Sequence, residues 1–198
     1  MKSSILKVVL AIIIVVLAYF IFNSINTPLK FEKQLSSRAD AVIVKLKDIR
    51  TAENLFEAMH NRYTGSFDTL IQFVREGKIP EVKMIPDPKD TTNTRTITDT
   101  IGFVSIFDSI FAKRDYKLED LSLIPFSNNE KFTLMAGKIN KGGVDVSVFE
   151  STAPLETYST GLNKQMVINR VQELKDKSKF PGLKVGSMFE ASTDGNWE

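Results

Sequence analysis

The chain has 198 residues, 42% hydrophobic and 25% charged, and its 26 Lys and Arg against 24 Asp and Glu leave a net charge of +2. That composition argues against a disordered tail, and the interspersed charges form no basic stripe, so nucleic acid is not an expected partner. The absence of cysteine excludes disulfides, thiolate zinc sites, cysteine nucleophiles and a lipid-modified N-terminal Cys.

Residues 5–22 read ILKVVLAIIIVVLAYFIF, interrupted only by Lys7. As a helix this run covers about 27 Å, close to the ~30 Å hydrocarbon core of a bilayer. Ile5, Val9, Ile13, Val16 and Phe20 represent its apolar surface, and all faces are apolar, unlike a helix lying on its own domain. A cleaved signal is the competing reading, but Asn23 to Pro28 contains no small-residue cleavage pattern. Lys2 and Lys7 on one side nearly balance Lys30, Lys33 and Arg38 on the other. A short basic leader before the apolar run favours the leader inside and the bulk of the chain exported. Pro28 is expected to break or kink the helix.

A polar stretch with a single apolar stripe follows. Leu35, Val42, Ile49, Phe56 and Tyr63 are seven apart, with Ala39, Leu46, Ala52 and Met59 between them. The pattern predicts a long amphipathic helix. It suits either a coiled coil or a helix across its own domain's sheet, and Glu53 and His60 interrupting the seam favour the second. Gly65 is expected to end it in a left-handed conformation, and Ser66 to cap a short helix closed by Gly77. A short strand at Val82–Ile85 lies between prolines, and 89–100 reads as an exposed loop or edge strand. Residues 101–111 suit strand or helix. Two alternating strands, 131–139 and one with Val144, Val146 and Val148, flank the hairpin turn Asn140-Lys141-Gly142-Gly143. A helix over 163–179, stopped by Pro181-Gly182, and a last strand over 183–189 complete the chain. The grouping predicts an α+β fold: a transmembrane helix (1–27), a juxtamembrane amphipathic helix with a short second helix (28–80), and an exported domain with a small antiparallel sheet (81–198).

No chemical signature stands out. His60 is the lone histidine and reads as a surface residue rather than a metal ligand or triad base. Glu119 with Asp120, Asp87 with Asp90, and Asp108 with Asp115 read as solvated charges rather than a catalytic pair. No phosphate-binding motif surrounds Gly142-Gly143. Phe103, Phe107 and Phe111, with Ile106 and Ile110, would form a helix face, read as core or as a partner surface. No catalytic, cofactor-binding or metal residues are therefore expected.

The basic start, apolar helix, amphipathic continuation and hairpin-built domain resemble the type IV pilin and pseudopilin plan over roughly the first 80 residues. Met1-Lys2-Ser3-Ser4-Ile5-Leu6 holds neither the Gly processing site nor the Glu of a prepilin. The segments VDVSVFESTAP, FPGLKVGSMFEAST and GNWE resemble uncharacterised membrane-anchored envelope proteins of Bacteroidetes. Asp68-Thr69-Leu70, Asp90-Thr91-Thr92, Asp99-Thr100-Ile101 and Asp108-Ser109-Ile110 are similar to the O-glycosylation acceptors of exported proteins from that group. No established activity comes with that resemblance; with the apolar helix and the lack of a catalytic signature, the expectation is a non-enzymatic, single-pass protein of the bacterial inner membrane with a periplasmic interaction domain, touching lipid through its first helix and other envelope proteins, or itself, through the rest. A pilin-like filament subunit and an envelope hydrolase are the alternatives.

Overall fold

The computed structural model describes residues 2–86 and 96–198, with side chains for 7–83 and 100–198. The architecture is α+β. Helix α1 runs 59 residues without a break, Lys2–His60, and carries Pro28 inside it. The expected break at Pro28 does not occur. Proline removes one backbone donor, and the carbonyl it frees, that of Ser24, lies on a stretch of helix that is bare on all sides. Regular turns on both sides keep the helix going through the single missing bond.

The other expectations for the first half need smaller corrections. Helix α1 ends at His60, and the left-handed residue is Asn61 (φ 54°), not Gly65. Asparagine tolerates that conformation because its short polar side chain bonds locally. Helix α2 (Phe67–Glu76) does follow Ser66, but the Ser66 hydroxyl makes no capping bond. The Ser66 N–H instead donates to Thr64 Oγ1 at 3.2 Å. Leu70 and Val74 of α2 are buried.

Strand β1 (Lys78–Pro86) is longer than expected and pairs antiparallel with β2 (Thr96–Ser105) in a two-stranded ribbon. The ambiguous 101–111 stretch is both elements in turn. Strand β2 ends at Ser105, whose hydroxyl accepts from the Asp108 N–H and starts the short helix α3 (Ile106–Ile110). Phe103 therefore sits on a strand, 68% exposed, while Phe111 is buried and stacks on the half-exposed Phe107. The three do not share a helix face. The expected loop over 89–95, with Asp87 and Asp90, lies outside the described residues.

A 3₁₀ turn (Leu118–Ser122) leads to a three-stranded antiparallel sheet in the order β3 (Thr133–Lys141), β4 (Val144–Pro154), β5 (Gly182–Gly186). Gly142 (φ 62°) and Gly143 (φ 87°) form the two-residue turn between β3 and β4, as both central positions of a type I′ turn need positive φ. Helices α4 (Leu155–Tyr158) and α5 (Lys164–Asp176) join β4 to β5. Asn163 caps α5, accepting from the Met166 N–H at 3.1 Å. The helix ends at Asp176, three residues short of expectation. Ser178 turns left-handed (φ 55°) and the Lys179 N–H closes onto the Leu174 carbonyl, so the stop precedes Pro181.

The core forms where α1 crosses this sheet. Leu46, Ile49, Phe149, Ala153 and Val185 are all fully buried there. The C-terminal tail is tied in as well: Gly195 bridges to Val185, and Arg50 of α1 meets Glu198 at 2.8 Å. Gly186 sits in the tightest approach, with φ +75° and the Phe149 carbonyl where a Cβ would go. Gly186→Ala is expected to cost roughly 2–3 kcal/mol through backbone strain and displacement of β4, read as a lower midpoint in chemical denaturation.

Candidate functional site

Helix α1 has two surfaces in sequence along one axis. From Val8 to Leu29 its large apolar side chains point outward, with Val9 46%, Ile13 47%, Val16 45% and Phe20 61% exposed. The Ile5 side chain lies outside the described residues. By length and composition this segment is compatible with a membrane anchor, and none of its most apolar stretch is buried in the protein. At Phe31 the surface changes. Phe31, Leu35, Val42, Ile49 and Phe56 are buried, and Tyr63, past the helix end, is half-buried with its ring 4.8 Å from that of Phe149. The seven-residue stripe is thus consumed by the chain's own domain.

Beside the stripe, α1 buries three ionisable groups. Asp48 is 2% exposed; one carboxylate oxygen accepts from Arg114 at 2.5 Å and the other from the Tyr116 hydroxyl at 2.6 Å. Burial and the Asp48 carboxylate together push the Tyr116 hydroxyl far above its usual range, so it stays a donor. The Lys45 ammonium donates to the carbonyls of Asp120 (2.5 Å) and Leu123 (2.8 Å) and lies over the Tyr116 ring. Its pKa is lowered by burial. Glu53 is fully buried, accepts from the Thr64 N–H at 2.9 Å, and leaves Oε1 without a partner. Burial pushes its carboxyl up to about 8, so it is protonated at neutral pH.

These groups bolt α1 to the loops that cross it. Asp48 and Lys45 hold the segment from Arg114 to Leu123, and Glu53 holds the turn after the helix. Asp48, Lys45, Arg114 and Tyr116 carry no motif, and the only hint in the sequence was a polar residue bordering an apolar stripe.

The other sequence candidates are scattered. His60 is exposed, its ring stacked on Phe56 at 4.2 Å, and no group of metal-ligating side chains forms among the described residues. Glu119 is an exposed partner of Arg75 at 2.6 Å. Ser109 of the Asp108-Ser109-Ile110 segment is exposed and donates to the Ser105 carbonyl. A cleft of about 620 Å³ lies between the start of the buried part of α1 and the α4–α5–β5 layer, lined by Glu32, Leu35, Tyr158, Arg170, Leu174 and Lys179 among others.

Comparison with known proteins finds no matching family model, no matching curated protein and no matching solved structure.

Proposed function

We propose that the chain is a single-pass, membrane-anchored protein of the bacterial envelope whose α+β domain stands on the outer side of the inner membrane and binds other proteins as an accessory or structural subunit. The observation that supports this most is the continuity of α1. One rigid element carries an outward-facing apolar surface of bilayer length and then the core seam of the domain. The domain is therefore held at a set height above the bilayer rather than on a flexible tether. Confinement to one membrane raises the local concentration of any partner in it, so modest contacts suffice for assembly. The buried Asp48 and Glu53 carboxyls are engaged in holding the fold, which suits a binding protein better than a hydrolase. The resemblance to Bacteroidetes envelope proteins points to the same compartment.

A second reading, a pilin-like filament subunit, draws on the bare apolar section of α1. Since the stripe beyond Phe31 is already buried, stacking between copies would have to use the section from Val8 to Leu29.

Photocrosslinking in intact membranes separates these readings. A crosslinker on the exposed domain surface is expected to capture a discrete complex. Ladders of self-crosslinks from Ile13 and Val16 alone would favour the filament, and monomer at every position would refute both.

A further inference from the structure

The transition from bare helix to folded domain takes two residues. Leu29 is 60% exposed and Phe31 is 6% exposed, a separation of about 3 Å along the axis. The apolar run itself ends at Phe22, and a hydrocarbon core of about 30 Å starting at Ile5 would end near Ile25. The domain thus begins about 9 Å beyond that edge. Across the cleft at that level stand α5 and the segment after it, because Arg170, Leu174 and Lys179 line the cleft shared with Glu32, Leu35 and Ser36. Those α1 residues lie about 10–17 Å beyond Ile25, so a headgroup layer about 5–7 Å deep comes to within roughly one Debye length of them.

The outer side of α5 is basic. From Lys164 to Lys179 five cations stand against Glu173 and Asp176. Glu173 is occupied, meeting Arg170 at 2.7 Å and Lys177 at 2.5 Å. Lys164, Lys175 and Lys179 are exposed and have no ion-pair partner among the described residues. Lys164, Ile168, Gln172 and Lys175 follow helical spacing along the outward stripe, with Ile168 47% exposed between the cations. Lys30 and Lys33 add charge on α1 at the same level, against Glu32. Lysines flanking an exposed aliphatic residue, on the part of the domain nearest the apolar run, suit an anionic membrane surface.

We infer that the outward face of α5, through Lys164, Ile168 and Lys175, with Lys179 just past its end, docks on the anionic headgroups of the bilayer that holds α1, fixing the tilt of the domain. This rests on the membrane-anchor reading of α1.

Hydrogen exchange on the full chain in nanodiscs tests it. Discs of phosphatidylcholine alone are compared with discs containing phosphatidylglycerol. Exchange over 164–179 is expected to slow by about tenfold or more in the anionic discs, at roughly fivefold per engaged lysine, and to recover in high salt. The combined substitution Lys164→Gln, Lys175→Gln and Lys179→Gln, all on exposed side chains, should abolish the difference while exchange in 31–56 stays unchanged. Equal exchange in both discs would overturn the docking, as would slowing spread evenly over the domain or slowing produced only by an added acidic protein. Failure of the chain to enter discs at all would be seen separately, as protein absent from the disc fraction. That result would remove the anchor reading and the docking with it.

Discussion

Arg114→Ala is expected to lower the unfolding free energy by about 3–5 kcal/mol, the usual cost of leaving one member of a buried ion pair without its partner. The size follows from Asp48, not from the arginine. Arg114 keeps its side chain 38% exposed and loses little by becoming alanine, whereas Asp48 is 2% exposed and has given up water for two donors. With Arg114 gone, only the Tyr116 hydroxyl remains, and the carboxylate must either stay charged in a poor environment or take up a proton. Tyr116→Phe removes a single hydrogen bond and should cost about 1–2 kcal/mol. The two changes share one carboxylate, so their effects should not add, and a double-mutant cycle by chemical denaturation should return a coupling above 0.5 kcal/mol in magnitude, the level expected for groups in one network. Additive effects would mean that Asp48 is not the common acceptor.

The second large effect is one of pH. The Glu53 carboxyl ordinarily titrates near 4.5 and in the folded protein near 8, raised chiefly by burial, with the Thr64 N–H opposing. Below pH 4.5 it is protonated in both states and its contribution to stability is fully present. Between pH 4.5 and 8 the unfolded chain releases the proton while the folded chain keeps it, so stability falls as pH rises, by about 1.4 kcal/mol per unit. The loss is complete above pH 8 and amounts to something on the order of 4–5 kcal/mol. Glu53→Gln keeps the shape and the acceptor for Thr64 but cannot ionise. The stability difference between the variant and the wild type should therefore grow steadily in the variant's favour from pH 5 to pH 8, across the window set by those two pKa values. Parallel profiles would show that Glu53 ionises normally in the folded state.

Both residues illustrate what the amino-acid pattern could carry. The stripe Leu35–Val42–Ile49–Phe56 was legible because helical burial repeats with a fixed period, and the structure buries all four. The β3–β4 hairpin was legible because Gly142-Gly143 meets a local backbone requirement. Asp48 was not, since its partners Arg114 and Tyr116 are far along the chain and long-range pairs leave no local trace. Glu53 was visible only as a break in the apolar seam, where its burial gave no sign. The end of α1 was misplaced because Asn61 and Gly65 both suit a left-handed turn, and the contacts of Tyr63 and Thr64 decide between them. The division of residues 101–111 depended on Ser105 capping a helix that the alternation of Ile101 and Phe103 does not announce. The bare apolar section of α1 needed no tertiary information, as composition alone marks it.

The central claim is that lipid surrounds the apolar run of α1, residues 5–22, and that the same helix continues into the domain. The chain has no cysteine, so single cysteines can be placed and spin-labelled at will. Collisions with oxygen, which concentrates in lipid, and with a water-soluble nickel complex report the depth of each site in reconstituted membranes. The account predicts that oxygen dominates at Val9, Ile13, Val16 and Phe20, with its maximum near Ile13, and that the nickel complex dominates at Lys33, Ser37 and Lys47. Nickel accessibility at Ile13 equal to that at Lys47 would place the apolar run in water and contradict the account.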